Sequence, residues 1–410
     1  MLLPLLFAAG MALADTVPGP AQERFASTIS TTAASAARAG AVIVHRQPAL
    51  PIVALRLSLL TADPPGYAGA GLLIQHLVYP SLRDQARRVG GRVQMQRTSD
   101  AMVYTIVGPA SEMYYLARVL RSALEPPRAG AGELLGARHA LREARLAEWE
   151  IARGHVRAAL RGSLFPDDLS AAGTEGSVER LDAASLAAVW SQMYRPERVM
   201  VTAVGDVRMG LVQEAFADLP PLPARRPQTE LVDTVPAVPL APAEATRGWL
   251  GLGYSAAEMD PHALSVAARL LGDLLREGIP TASVEAEHWW THHGQALAVV
   301  LAVPGPNLPA ARRTLGTALA TLQQNLSEER VRAAATAARR EMLFYARTPD
   351  RMAEVLGSFA DRDGDAEAAQ RFYAQLEQVS VAEVRRVLEQ LTARTPARVD
   401  IPPQVPARRT

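Results

Sequence analysis

Residues 68–80 read AGAGLLIQHLVYP: small residues open an apolar run that holds one imidazole, His76, beside an amide, Gln75. The pattern predicts a helix that begins near Gly71 and places Leu72 and His76 four residues apart on one face. Histidine at position 72 and glutamate at position 75 would complete H-x-x-E-H, which sets two zinc ligands and a general base on one helical face. An apolar side chain and an amide occupy those two positions. The stretch alone therefore also fits an ordinary buried helix with one histidine.

The composition of the chain excludes several classes of protein. Its 410 residues predict two or three domains, and 49% hydrophobic with 21% charged residues indicate globular structure. A net charge of +1 gives no overall field that would favour nucleic acid or an anionic membrane. The chain has no cysteine, which excludes disulfides and thiolate metal sites.

The first residues indicate an exported protein. Residues 1–14, MLLPLLFAAGMALA, form a short apolar run that ends in A-x-A, the pattern of a secretory signal cleavage site. The run is too short to span a bilayer, and no later segment reaches transmembrane length without charge. We therefore expect a signal peptide at 1–14 and a leader at 15–37. An apolar N-terminal helix of the fold is the alternative.

Strands and helices mix without strict alternation along the first half. Strands are predicted around a turn at 47–51, at 92–97, at 101–107 and at 199–204. Helices are predicted at 81–88, 110–124 and 133–161. A further helix is predicted within 177–194, with Asp182 as its N-cap.

The second half repeats the layout of the first. Residues 103–117 predict a strand, a proline break and a helix, and residues 298–311 have the same layout. Each half also ends in a helix, a turn and a strand, and Ser380 with Glu383 forms a capping box at the second of these helices. We expect two homologous domains, 38–222 and 246–402, joined by a Pro-rich linker at 223–245. The fold class is α+β, with a mixed β-sheet in each domain and helices packed on one face.

In order and spacing these pieces resemble the M16 metallopeptidase family, the group of pitrilysin, insulinase and the mitochondrial processing peptidase. The resemblance extends from about residue 41 to residue 399. It rests on the stretch around Gln75 and His76 and on these further pieces: Gly90-Gly91, Thr98-Ser99, Val103-Tyr104, Leu141-Arg142-Glu143, Leu164-Phe165-Pro166, Tyr194-Arg195-Pro196, Val204-Gly205-Asp206 and Leu275-Arg276-Glu277.

The resemblance implies a degenerate catalytic site. The family motif H-x-x-E-H falls on residues 72–76, so Leu72 replaces the first zinc ligand, Gln75 replaces the general base, and His76 keeps the second ligand. The family's distal zinc ligand matches Glu143, and its auxiliary acidic position falls near Gly136. A catalytic zinc needs three protein ligands and an open position, and an amide cannot accept a proton from water. We therefore expect no metal and no catalysis in this chain.

Two further candidates lie in the second half. The family's substrate-binding pattern R-E-x-x-G-L-x-Y resembles residues 276–281 with two residues missing, so Arg276 matches the Arg and Thr281 replaces the Tyr. A solvated Arg276 at a helix end is the alternative. Residues 285–293 hold the densest set of metal-ligating side chains, and His288 and His292 would share one face of a helix. A polar strand with an aromatic anchor is the alternative there.

The sequence predicts a non-catalytic M16-like subunit that is exported to a bacterial periplasm. It would pair as a heterodimer with an active, zinc-dependent M16 peptidase, which would hold the zinc, and help to enclose or bind a peptide substrate. Nucleic acid is not expected as a partner. A stand-alone scaffold or peptide-binding module, and a zinc peptidase with an altered site, are the alternatives.

Overall fold

Two β-sheets organise the chain in a computed structural model, which describes residues 42–98, 101–149, 151–165, 173–220, 246–291, 294–365 and 367–403. The predicted signal peptide, leader and linker lie outside these ranges. None of the helices in the described ranges is both long and apolar enough to cross a membrane.

The first sheet has five strands, in the spatial order β1-β5-β2-β4-β3. Strand β1 pairs parallel with β5, and the other neighbours pair antiparallel, so the sheet is mixed as predicted. The strands are β1 Val42–Arg46, β2 Ile52–Leu60, β3 Arg92–Arg97, β4 Ala101–Pro109 and β5 Val199–Gly205.

The second sheet repeats this arrangement. Its described strands have the order β7-β8-β6-β9 and pair antiparallel throughout. Read from the other edge, β9-β6-β8-β7 matches β5-β2-β4-β3 of the first sheet, so the repeat seen in the sequence is a repeat of topology. The strands are β6 Gly248–Ser255, β7 Ser283–Thr291, β8 Gly294–Val303 and β9 Ala397–Ile401.

The helices follow the same duplication. In the first half they are α1 Ala70–Arg87, α2 Met113–Arg121, α3 Ala131–Trp149, α4 Ala152–Leu164, α5 Glu175–Glu179, α6 Ala183–Met193 and α7 Met209–Ala215. In the second half they are α8 Pro261–Gly278, α9 Leu308–Gln324, α10 Glu328–Tyr345, α11 Pro349–Asp363, α12 Ala368–Leu376 and α13 Val381–Thr392. Helix α1 connects β2 to the edge strand β3, and helix α8 connects β6 to the edge strand β7. Helices α4 and α11 occupy equivalent positions in the order of elements of their two halves.

Each sheet packs the helices of its own half on one face. Alternate residues of β2, such as Leu55 and Leu57, join Leu73 and Ile74 of α1 in one fully buried core. In the second half, Leu250 and Leu252 of β6 belong to a corresponding core with α8, α9, α10, α12 and α13. This layering confirms the α+β class and the helices on one face.

The opposite face of each sheet is covered by a helix from the other half, which the sequence did not predict. Helix α4 packs Val156 and Leu160 against the second sheet, next to Gly251 of β6. Helix α11 packs Met352 and Ala353 against the first sheet. Helices α4 and α11 are thus exchanged between the halves, and each packs on the second face of the other half's sheet.

Buried and half-buried ion pairs fix both exchanged helices. Arg56 of β2 and Asp361 of α11, both buried, pair at 2.7 Å between Nη2 and Oδ2, and Ser58 also donates to this carboxylate. On the other side, Arg153 of α4 holds both oxygens of Glu285 on β7, at 2.6 and 2.8 Å. The two halves are therefore joined by polar contacts as well as by apolar packing.

Two predicted helix boundaries were wrong. The long helix predicted over 133–161 is two helices, α3 and α4, with Ile151 in an extended conformation at the N-cap of α4. The break redirects the chain from the first half onto the second sheet. The helix predicted at 81–88 is the continuation of α1, which contains Pro80 at an exposed position.

Candidate functional site

Helix α1 carries the degenerate motif, and Asp63 fixes its beginning. The buried Asp63 carboxylate accepts hydrogen bonds from the backbone N–H groups of Gly69 (2.6 Å) and Gly71 (3.1 Å) and pairs with Arg97 of β3 at 3.3 Å. A carboxylate at these free N–H groups stabilises a helix start. A Cβ on Gly71 would lie 2.6 Å from Asp63 Oδ1, so only glycine fits there.

Gln75 has a structural position in the site. Its side chain is fully buried, and its Nε2 donates to the backbone carbonyls of Gln96 (3.1 Å) and Val103 (3.2 Å) on β3 and β4. Both amide hydrogens are thus used to join the helix to the sheet, and Oε1 has no partner among the described residues. Because an amide is not basic, Gln75 cannot serve as the general base.

His76 lies one turn beyond Leu72 and is 8% exposed. Burial, and next the nearby positive charge of Arg145, lower the pKa of His76 to about 4. The imidazole is therefore neutral at neutral pH. Leu72 is partly buried and packs against the core of the first half, which places an apolar side chain next to the ring.

The structure brings Arg145, and not Glu143, to His76. Helices α1 and α3 pack together, and Leu134 and Leu141 lie on the buried face of α3. Arg145 follows Leu141 by four residues and so continues that face, whereas Glu143 points away from it. The Glu143 side chain is 64% exposed and lies 3.8 Å from His139 of its own helix. The assignment of Glu143 as a former metal ligand therefore stays a prediction from the family motif.

These residues do not fit a zinc ion. Of the three ligands that a catalytic zinc requires, only the imidazole of His76 is present on α1, beside an apolar Leu72. The guanidinium of Arg145 adds a positive charge that repels a cation. Within the described ranges, no group of three His, Asp or Glu side chains is placed to hold a metal ion. We therefore derive no metal chemistry for this chain. Gly136, at the auxiliary acidic position, faces open space on α3.

Arg276 and Thr281 lie at the end of α8 in the second half. The Arg276 side chain is 48% exposed and pairs with Asp273 at 2.7 Å. Thr281 accepts a hydrogen bond from Asn307 at 2.9 Å through its hydroxyl oxygen. The described contacts show the helix-end environment of Arg276 but no bound peptide, so substrate binding by Arg276 stays a prediction.

His288 lies on a strand, which agrees with the polar strand given as the alternative to a metal-binding helix. Strand β7 contains His288, and His292 lies outside the described residues. The two ring nitrogens of His288 are engaged by Ser265 Oγ (2.7 Å) and Gln295 Oε1 (2.9 Å). Burial lowers the pKa of His288 to about 4, and both of its nitrogens serve to join β7 to its neighbours. The aromatic anchor predicted at this strand is present, since Trp289 is buried.

The chain has the fold of M16-like peptidases. It matches the structure titled "peptidase M16 inactive domain" from Pseudomonas fluorescens over 89% of this chain and 96% of that chain, with a TM-score of 0.71 and 16% identity. A protease from Helicobacter pylori matches over 88% and 96%, with a TM-score of 0.69 and 14% identity. The periplasmic protease PqqL from Escherichia coli matches over 88% of this chain but 44% of its own length, with a TM-score of 0.64 and 12% identity.

The similarity is visible in structure and not in sequence. No protein-family profile and no curated protein sequence matches the chain. At identities of 12 to 16%, the solved structures establish the fold alone. The resemblance found from short motifs is thereby confirmed for the fold.

Sequence reasoning missed Arg145 and Asp63. The spacing of Leu134, Leu141 and Arg145 along α3 follows one helical face, and this signal could have placed Arg145 beside α1. Asp63 stands in a Pro/Gly loop ahead of α1, and nothing in the spacing of that loop indicates its bonds to the helix start.

Proposed function

We propose that this chain is a non-catalytic M16-like subunit that acts beside an active M16 peptidase. The observation that carries the proposal is the state of Gln75, whose amide is held by two backbone carbonyls at the position of the family's base. Leu72 stands at the position of the family's first zinc ligand, and the positive charge of Arg145 disfavours a cation near His76. The fold is kept while the chemistry is lost, which favours a role in binding or assembly.

The coverage of the solved structures supports a paired arrangement. The chain corresponds to nearly the whole of the Pseudomonas fluorescens inactive domain but to 44% of PqqL. A unit of this size is therefore found in a longer chain together with further residues. We propose that a separate active subunit supplies that second unit here, forms a heterodimer with this chain, holds the zinc and cleaves a peptide that the two enclose.

The proposed location follows from the N-terminus. Residues 1–14 have the pattern of a secretory signal, and PqqL is described as periplasmic. We propose export to the periplasm, where the partner would also have to reside.

A stand-alone scaffold or peptide-binding module is the second candidate. The observation that favours it is the exchange of α4 and α11, which covers the second face of each sheet within this one chain. Such a unit has no sheet face left that requires another subunit. A zinc peptidase with an altered site has no comparable support, because Arg145 opposes a cation beside His76.

Co-expression with an intact H-x-x-E-H family member from the same genome tests the proposal. Size-exclusion chromatography with light scattering should give the mass of a one-to-one complex, and peptide cleavage by the partner should depend on this chain. The control is the same complex with the partner's motif Glu changed to Gln, which should assemble and not cleave. Separate elution, with full activity of the partner alone, would favour the stand-alone module.

A further inference from the structure

Arg145 is a half-buried cation that has no ion pair with any of the described residues. Its Nε and Nη2 are both buried and have no hydrogen-bond partner among the described residues. Arg145 is the one described arginine with two such nitrogens. The acidic group that influences it most is Glu175, whose carboxylate is already held by Arg142 at 3.0 Å.

A charged group without a counterion among the described residues lowers the stability of the folded chain. A buried charge without a counterion destabilises a protein, and an apolar residue of similar size is often better tolerated. Arg145 follows Leu141 on the buried face of α3, where leucine or methionine would continue the apolar packing. Folding alone therefore does not explain an arginine at this position, and a ligand that brings the missing charge does.

The unpaired edge of the Arg145 guanidinium determines which class of ligand could bind there. Nε and Nη2 lie side by side on one edge of the planar guanidinium and donate two parallel hydrogen bonds. Arg153 of the same protein uses this edge to hold both carboxylate oxygens of Glu285, at 2.6 and 2.8 Å. The corresponding edge of Arg145 is suited to a carboxylate, and a phosphate offers the same pair of oxygens.

The neighbours of Arg145 complete such a site. His76 lies on α1, which packs against α3, and the positive charge of Arg145 contributes to the lowered pKa of His76. A neutral imidazole can donate one N–H to an anion. Leu72 adds an apolar side chain next to the imidazole ring of His76. It brings no carboxylate that would compete with a ligand for the guanidinium. Arg145 as a whole is partly exposed while Nε and Nη2 are buried, so a ligand would reach them by displacing the side chains that cover this edge.

We propose that Arg145 and His76 form a binding site for a carboxylate at the position where active relatives of this fold would carry their motif. The ligand class is a peptide with a free C-terminal carboxylate or a small carboxylic acid, with inorganic phosphate as the other source of the same oxyanion chemistry. The proposal goes beyond the subunit function and concerns the isolated chain, so its failure leaves the pairing proposal standing.

Isothermal titration calorimetry on the isolated full chain tests the site at constant ionic strength. The probes are trialanine with a free C-terminus, trialanine amide, acetate and inorganic phosphate. We expect saturable binding of free trialanine that the amide does not show. Saturable binding of phosphate or acetate alone would still support the oxyanion site and would identify the smaller anion as the ligand.

Three variants locate the binding. Arg145→Gln should weaken it at least about tenfold, the loss expected for a charge-assisted pair of hydrogen bonds. Arg145→Lys, which keeps the charge without the two-pronged edge, should show a smaller loss and serves if the Gln variant does not fold. Arg118→Gln, at an exposed position of α2, should bind as the unchanged protein does. No saturable binding of any probe, or equal losses in the Arg118 and Arg145 variants, would overturn the proposal.

Discussion

At the residue scale, Gln75 determines what the motif helix can do. Its two amide hydrogens are donated to the carbonyls of Gln96 and Val103 on the sheet, so an amide that cannot act as a base also holds the helix in place. The amide is therefore part of the packing of the first half, and replacing it has a structural cost.

Gln75→Glu should destabilise the protein. A carboxylate in place of the amide would face two carbonyl oxygens with no hydrogen to donate, which costs about 1–3 kcal/mol for the buried polar groups left unpaired. Urea unfolding at pH 7 measures the loss. Gln85→Glu, at a partly exposed position of the same helix, is the matched control and should change stability by less than about 0.5 kcal/mol. Equal stability of the two variants would contradict the role given to Gln75.

His76 should make the protein less stable in acid. Its pKa falls from 6.5 to about 4 on folding, so the unfolded chain binds more protons between these values. The stability associated with neutral His76 is present above pH 6.5 and is lost as the pH falls toward 4, by about 2 kcal/mol at pH 4.5.

The variant His76→Gln isolates this contribution. The free energy of unfolding, measured by urea denaturation at pH 7 and pH 4.5, should fall less in His76→Gln than in the unchanged protein, by that same amount. The exposed His139→Gln on α3 is the control and should keep the full fall. If His76→Gln loses as much stability in acid as the control does, His76 is not buried as a neutral ring.

The sequence allowed part of this site to be predicted. Leu72, Gln75 and His76 share one short stretch, so they could be compared with H-x-x-E-H from local spacing, and their roles stay a prediction from the family resemblance. The distal position could not, because Glu143 and Arg145 are two residues apart and face opposite sides of a helix. Which of them meets His76 depends on how α3 packs on α1, a tertiary contact that the motif does not encode.

At the element scale, the exchange of α4 and α11 depends on small residues in the strands beneath them. Gly251 and Gly253 alternate with Leu250 and Leu252 along β6, so the face toward α4 carries no side chain at these two positions. Helix α4 approaches the strand closely there. A Cβ on Gly251 would lie 2.6 Å from Val156 Cγ1.

Gly251→Ala should therefore destabilise the protein by about 1–3 kcal/mol, the usual cost of overpacking. Gly316→Ala is the control, since a Cβ there meets nothing within 4 Å on the exposed side of α9. It should stabilise the helix by up to about 1 kcal/mol. Thermal unfolding distinguishes the two variants, and a stable Gly251→Ala protein would argue against the close packing of α4 on β6.

The elements themselves were largely predictable, and the exchange was not. Strand and helix periodicity, the capping box at Ser380 and the repeated strand-proline-helix order all act locally, and the structure keeps them. The place of α4 depends on a sheet formed about a hundred residues further along the chain. The alternating glycines of β6 are the one sequence feature that signals a close approach on that face.

At the scale of the whole molecule, the two halves should stay together when the chain between them is cut. Each half contributes a helix to the other's sheet, and Arg56–Asp361 and Arg153–Glu285 cross between the halves. A specific protease site placed within residues 223–245 allows the cut to be made in the folded protein. We expect the nicked protein to elute as one species in native buffer and as two fragments only in denaturant. Two separate species in native buffer would contradict the exchange.

The zinc content of the purified protein tests the central claim most directly. Elemental analysis, together with a peptide-cleavage assay with and without a chelator, should find no stoichiometric zinc and no cleavage. Leu72 and Gln75 stand at the motif positions of a zinc ligand and the general base, and Arg145 brings a positive charge near His76. The paired variant Leu72→His with Gln75→Glu should gain little zinc while Arg145 remains, and adding Arg145→Glu should increase the affinity. One tightly bound zinc per unchanged chain, with cleavage that the chelator abolishes, would contradict the account.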